Sequence, residues 1–329
     1  MAAFLPPVVA PLWSARMGTA QALGAGKVEL KMAVLTSMTK PKVLTESEAV
    51  LTRDGRITPA SESQVRSMIR YWTYEGVGLL HGRYVKHRFV PHAHEEYSIA
   101  VITRGALMFE WAGKKYVAEP ATISAINPGE IHTGQPGAEC GWEYRHFFVP
   151  RSALIQFVPE LAKGERDIQL PVIEDPETAR ALVRAHHAIT QDAPALEKDA
   201  RLTEALAHLF AKHSAPSIAR GTAQSSRPST RMAQDYLRAH FSERIRLATL
   251  ASLVNLSPYH FLRTFAQDTG LTPHAYQEQL RVTYGFGRLK QGASAAEVAD
   301  EAGYADQSHF IRALKKTYGL TPSLVQRVA

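Results

Sequence analysis

Cysteine is nearly missing from this chain of 329 residues, which carries only Cys140. One cysteine makes no intramolecular disulfide and no cysteine-rich metal cluster, so a stapled secreted scaffold and a zinc ribbon are excluded and a reducing cytoplasm is favoured. The expected role of Cys140 is a small buried side chain beside a strand. No run of eighteen apolar residues occurs, so no membrane span is expected. The first thirteen residues are apolar, but no basic stretch precedes them and Pro6, Pro7 and Pro11 interrupt them. An irregular leader, or a start set too early given Met17, Met32 and Met38, is preferred to a secretory signal. Also missing are a phosphate-binding glycine loop, an adjacent carboxylate pair and an evident nucleophile–base set, so no catalytic residues are assigned and no enzyme is expected.

What is present is an ordinary globular composition, 45% hydrophobic and 21% charged, over a length that suits two domains. Net charge is +7. From Thr230 onward there are 12 Lys and Arg against 8 Asp and Glu, so more than half the excess lies in the last hundred residues. That distribution suits a polyanion as partner.

Residues 1–65 show no lasting periodicity and read as a mostly disordered leader. From Val77 to Val149, short alternating runs are punctuated by Gly and Pro. Leu107, Phe109 and Trp111 fall on one face and Met108 and Glu110 on the other, the period of a half-buried strand. Such strands at close spacing predict a small antiparallel barrel or sandwich. Helical spacing follows over 176–190 and 194–213, where Leu202, Leu206, Leu209 and Phe210 form a stripe that serves either internal packing or a dimer seam. The Ser-, Ala-, Pro- and Gly-rich stretch 214–229 reads as a linker. The chain thus divides into a leader (1–65), a barrel with helices (66–213), a linker (214–229) and an all-helical segment (230–329).

The helical segment contains an internal repeat. His260-Phe261-Leu262-Arg263-Thr264-Phe265 and Gly270-Leu271-Thr272-Pro273 recur 49 residues later as His309-Phe310-Ile311-Arg312-Ala313-Leu314 and Gly319-Leu320-Thr321-Pro322. Leu250, Ala251 and Val254 recur as Val298, Ala299 and Ala302 at an offset of 48, so one residue is inserted at the turn. Two copies of one supersecondary unit account for this pattern. In the first copy Asn255 suits a left-handed turn, Ser257 an N-cap and Pro258 the first helical position. In the second, Ser294 and Glu297 form a capping box, Gly303 makes the turn and Asp306 caps the next helix. Each copy is a helix-turn-helix, whose second helix enters the major groove. With Phe261 and Phe265 inward, Tyr259, Leu262 and Arg263 face outward; in the second copy Gln307, Ser308, Ile311 and Arg312 do so. Arg reads guanine, Gln reads adenine and an apolar side chain packs on a thymine methyl. Phosphate or a neighbouring carboxylate is the alternative partner for both arginines.

At these residues, over about Gln234–Gln326, the chain resembles the AraC family of transcription regulators, most closely in Gly-Tyr-Ala-Asp-Gln-Ser-His-Phe at 303–310. Arg281, read as opening the connecting helix, and Gly292 also match. Gly285 and Arg288 replace the family's usual Ala and Leu, and with Gly287 they predict a weakened connecting helix. The resemblance implies a cupin-like sensor barrel controlled by a small-molecule effector, a homodimer formed by the helices after the barrel, double-stranded operator DNA as partner, and RNA polymerase as a further one. Within the barrel region His92, His94 and His132 resemble the two cupin motifs, with Gly105 ending the first and Gly141–Arg145 also similar to family members. In cupin enzymes such histidines hold a metal together with a glutamate, whose positions are Ser98 and Ile99 here; no metal and no cofactor are therefore expected. The effector-lining candidates are His92, His94, Tyr97, Trp111, His132 and Arg145. A metal-dependent cupin dioxygenase or isomerase with a DNA-binding tail is the alternative to an α+β, two-domain, cytoplasmic regulator.

Overall fold

The computed structural model describes residues 49–51, 57–59, 68–217 and 227–327. The leader expectation falls outside them, except that β1 (Ala49–Leu51) and β2 (Ile57–Pro59) pair as an antiparallel hairpin. The barrel follows as β3 (Met68–Tyr74), β4 (Val77–Tyr84), β5 (Phe89–His92), β6 (Tyr97–Gly105), β7 (Leu107–Trp111), β8 (Lys114–Ala118), β9 (Ile123–Ile126), β10 (His132–Pro136) and β11 (Trp142–Val149). With β12 (Arg166–Ile168), β13 (Val172–Ile173) and β14 (Ser214–Pro216), these strands form a four-stranded sheet in the order β5-β10-β7-β8, a six-stranded sheet in the order β13-β9-β6-β11-β4-β3, and a separate β12-β14 pair. Two-residue turns close β3–β4 at Glu75-Gly76 and β7–β8 at Ala112-Gly113; all four residues have positive φ, the geometry that matches strand twist and that Gly adopts at no steric cost. Cys140, in the turn before β11, is only half-buried rather than part of the core.

The six-stranded sheet has two buried faces. On one, Leu79, Tyr97, Ile99, Val101 and Phe147 pack against α1 (Arg151–Phe157), α2 (Pro176–Thr190) and α3 (Ala195–His213). The stripe on α3 is consumed here: Leu202, Leu206, Leu209 and Phe210 are each 0% exposed within one chain. The dimer-seam reading of these residues is therefore corrected. Each contributes roughly 1.5–3 kcal/mol of burial to its own domain and is not free for a partner. The presumed linker is also shorter than expected, because 214–216 forms β14 on β12 and the first helix beyond starts at Pro228.

The C-terminal helices are α4 (Pro228–Ala239), α5 (Leu247–Leu253), α6 (Pro258–Thr269), α7 (Pro273–Lys290), α8 (Ala295–Glu301), α9 (Gln307–Tyr318) and α10 (Pro322–Gln326). The local signals act as their chemistry requires. Asn255 has φ 53°, Ser257 accepts from the His260 N–H, and Ser294 and Glu297 form a reciprocal capping box. Asp306 accepts from the His309 N–H. Arg281 lies in the middle of α7 rather than at its start, and donates to the carbonyls of Phe241, Ser242 and Glu243, fixing α7 to the α4–α5 connection.

The two units differ in what they pack on. The first has its own core of Ala233, Leu237, Leu250, Ala251, Phe261 and Phe265. The second shares a core with the other face of the barrel sheet, where Tyr71, Leu80, Tyr84 and Trp142 join Val282, Val298, Phe310, Leu314 and Tyr318. Gln279 of α7 donates to the Ala93 carbonyl at 3.0 Å and accepts from its N–H at 3.4 Å.

Candidate DNA interface and barrel cavity

The outer surfaces of α6 and α9 carry the residues expected to read DNA. Tyr259 is 70% exposed, and the Arg263 guanidinium lies 5.9 Å from its ring centre. Gln307, Ser308 and Arg312 are exposed on α9, as are Lys315 and Lys316 one turn on. Among the described residues neither Arg263 nor Arg312 is in an ion pair, so the carboxylate alternative has no support and both guanidinium groups are available to a base or phosphate. Leu262 and Ile311 are half-buried, and Ile311 packs partly into the shared core, which leaves less of it to meet a thymine methyl. His260, exposed beside Tyr259, also belongs to this surface and went unremarked in the outward set, although its place at the start of α6 marks it.

Between the two sheets lies a small cavity of about 50 Å³, partly open at its mouth. Its walls follow the period of two. From β11 come Trp142, Tyr144, His146 and Phe148; from β6, Ser98 and Ala100; from β7, Leu107 and Phe109. His92 and His132, cross-strand partners on β5 and β10, bring their rings to 4.4 Å between centres, and His94 lies 4.8 and 5.2 Å from them. Burial holds all four imidazoles neutral: His132 is pushed down to about 4 and His146 to about 3, while His92 and His94 sit well below the ordinary value. Among the described residues no Asp, Glu, Lys or Arg lines the cavity.

Three candidates for the cavity are not in its wall. Tyr97 and Arg145 have the wrong parity. Tyr97 points to the helix-covered face, donates to the Arg166 carbonyl at 2.6 Å and packs edge-on against Phe210. Arg145 alternates with Tyr144 and His146 and shares its register with His81 and Val101 on the same outer face. Trp111 has the inward parity of Leu107 and Phe109, but its indole N–H is held by Glu130 at 2.8 Å at the end of β7. Among the wall residues missed were Ser98, Ser124, Tyr144, His146 and Phe148, all recoverable by carrying the alternation through β6, β9 and β11. Ser98 and His146 also form a side-chain pair at 2.8 Å, the nearest thing to a nucleophile and base in the chain's barrel.

Two further wall residues come from the other half of the molecule. Thr317 and Tyr318, the last turn of α9, close one side of the cavity. The Tyr318 ring stacks on Phe286 at 4.7 Å and lies 5.4 Å from His94. Only 7% of Tyr318 is exposed, and burial raises its phenol far above the ordinary value. The helix that presents Gln307, Ser308 and Arg312 at its start therefore ends in the barrel's cavity.

Comparison with known proteins agrees with both halves. An AraC-like ligand binding domain matches residues 76–206 and a helix-turn-helix domain matches residues 250–327. The HTH-type transcriptional regulator YbfI of Bacillus subtilis is 26% identical over 230 residues, 68% of this chain and 82% of that protein. The MmsAB operon regulatory protein of Pseudomonas aeruginosa is 36% identical over 89 residues, 27% of this chain and 29% of its own length. Among solved structures, ToxT of Vibrio cholerae is 11% identical, with a TM-score of 0.46, over 78% of this chain and 95% of that one. A barrel-like sensor fold followed by two helix-turn-helix units defines a ligand-responsive DNA-binding regulator. The chain belongs to the AraC family of transcription regulators.

Proposed function

We propose that the chain reads an operator with Tyr259, Leu262 and Arg263 of the first unit and Gln307, Ser308, Ile311 and Arg312 of the second, and that a small effector in the barrel cavity sets its affinity for that DNA. The observation that carries this reading is the position of Tyr318: a molecule entering the cavity touches the same helix that faces the groove, so occupancy and helix placement share one free energy. Aromatic walls, neutral imidazoles and the hydroxyls of Ser98 and Ser124 suit a small, largely apolar effector with one or two hydrogen-bonding groups.

The cavity is read as a binding site and not a catalytic one. His146, held neutral to about pH 3, is a weak base for Ser98, and its Nδ1 is buried with no hydrogen-bond partner, so no third group orients it. Self-association as a homodimer, if it uses α2 and α3, falls to their outer face, a charged mosaic of Arg184, Glu197, Arg201 and Glu204. Contact with RNA polymerase, in the cytoplasm where the DNA is, completes the proposed partners; among the described residues no helix is long and apolar enough to cross a membrane.

The test is to select a DNA site in vitro with the purified chain, screen small molecules by thermal shift, and measure DNA affinity with and without each hit. A hit displaced by cavity variants such as Ala100→Trp should change the DNA dissociation constant about 5–150-fold, and DNA should change the hit's affinity by the same factor. Hits that occupy the cavity and leave DNA affinity unchanged contradict the proposal.

A further inference from the structure

We infer that His92, His94 and His132 form a binding site for one divalent transition-metal ion of the zinc, iron or cobalt class. Nothing in the regulator reading requires such an ion, and the lack of a glutamate beside the histidine pair argued against one at the level of sequence. The spatial arrangement reverses that expectation.

His92 Nδ1 lies 2.7 Å from the Val90 carbonyl and His132 Nδ1 lies 3.0 Å from the Glu130 carbonyl. A carbonyl only accepts, so both Nδ1 atoms carry hydrogen and both Nε2 atoms present lone pairs. His92 Nε2 is 3.1 Å from His94 Nε2. If His94 donates from Nε2, its Nδ1 lone pair is left buried and unpaired; if it carries its proton on Nδ1, a buried N–H is left unpaired and two lone pairs face each other. Either way the protein alone leaves the trio unsatisfied, and Nδ1 of His94 has no hydrogen-bond partner. A cation accepting three lone pairs removes the lone-pair conflict.

The geometry fits. One ring nitrogen from each histidine lies within 4.8 Å of the other two, and all three residues are buried. Nitrogens bound to zinc at about 2.0–2.1 Å in a tetrahedron lie roughly 3.3 Å apart, so the His92–His94 spacing of 3.1 Å already suits a shared ion, and a His132 nitrogen stands within 4.8 Å of both. The carbonyls of Val90 and Glu130 play the outer part usual for metal-bound imidazole, fixing tautomer and ring plane. The Glu130 carboxylate itself is taken by the Trp111 indole and the Asn127 N–H groups, so it is not a ligand. Ser98, at the position of the absent glutamate, is turned to His146. Three neutral nitrogens with no carboxylate select a borderline transition metal over calcium or magnesium.

The experiment uses the untagged full-length chain, stripped with a chelator and titrated with cobalt(II), then with zinc(II) in competition. The expected result is one ion per chain, visible absorption bands of nitrogen-ligated cobalt, and a higher melting temperature. Affinity should fall at least about 10–100-fold in His92→Gln and in His132→Gln, and be kept in His81→Gln, which lies on the outer face of the sheet. X-ray absorption of the zinc-loaded wild type should show three imidazole nitrogens, a readout that holds even if a variant folds poorly. Uptake well below one ion per chain, uptake insensitive to both substitutions, or a shell without imidazole overturns the inference.

Discussion

Alanine at Gly285 and at Gly287, two positions of the same helix, should differ in effect. Both glycines lie inside α7, where Gly costs about 0.8–1 kcal/mol relative to Ala, so helix propensity alone favours either substitution by that amount. At Gly287 a Cβ would meet nothing within 4 Å, and the gain should appear undiminished. At Gly285 a Cβ would sit 2.5 Å from the Phe310 ring and 2.8 Å from Val298 Cγ1, both buried in the shared core. Overpacking of that kind costs about 1–3 kcal/mol, which cancels or exceeds the propensity gain. Gly287→Ala should therefore be more stable than wild type by up to about 1 kcal/mol, and Gly285→Ala less stable than Gly287→Ala by roughly 1–3 kcal/mol. Because Phe310 belongs to α9, relief of the clash displaces the helix proposed to read DNA in the second unit, so Gly285→Ala should also weaken DNA binding while Gly287→Ala does not. Urea unfolding followed by helical circular dichroism, with DNA affinity by fluorescence anisotropy, reads both effects. If Gly285→Ala stabilises the chain as much as Gly287→Ala and leaves DNA affinity unchanged, the close approach of α7 and α9 is wrong.

Two other expectations follow from the barrel and its helices. Leu206→Ala should cost about 2–5 kcal/mol of stability with no change of oligomeric state by light scattering, since the side chain is fully buried within one chain; a normally stable variant that has lost self-association would restore α3 as a dimer seam. Burial raises the carboxyl of Asp175, but hydrogen bonds from His213 and Thr178 outweigh it and carry the group far below the usual carboxylate range. That depressed value contributes stability present above the unfolded pKa near 3.9 and lost as pH falls toward the folded value. Asp175→Ala should thus cost about 0.5–2 kcal/mol at pH 7, and the gap from wild type should narrow in melts below about pH 4; a gap independent of pH would contradict the ion pairing of this cap.

Much of the DNA-binding half was legible because its signals are local. Asn255, Ser257, Ser294 and Asp306 act within a turn of their own position, and the 49-residue repeat doubled every signal. The barrel was legible as a set of strands, yet Tyr97 and Arg145 were assigned to the cavity by chemical type when their parity sends them outward. The α3 stripe showed that an apolar face exists and could not show what covers it, because internal packing and a dimer seam have the same periodicity. Gly285 read as a weakness in isolation; it is the gap that Phe310 fills. Tyr318 was beyond reach, since its contact with His94 spans more than two hundred residues and no periodicity encodes it.

If two units read one DNA site, both arginines contribute to its recognition. The decisive measurement compares wild type, Arg263→Ala and Arg312→Ala in their affinity for the selected site and for a set of single-base variants of it. Each substitution should cost roughly 1–3 kcal/mol and relax preference at a different base pair, the two positions lying about one helical turn (~34 Å) apart. If Arg312→Ala leaves affinity and base preference unchanged while Arg263→Ala abolishes both, only the first unit reads DNA and two-unit recognition is refuted.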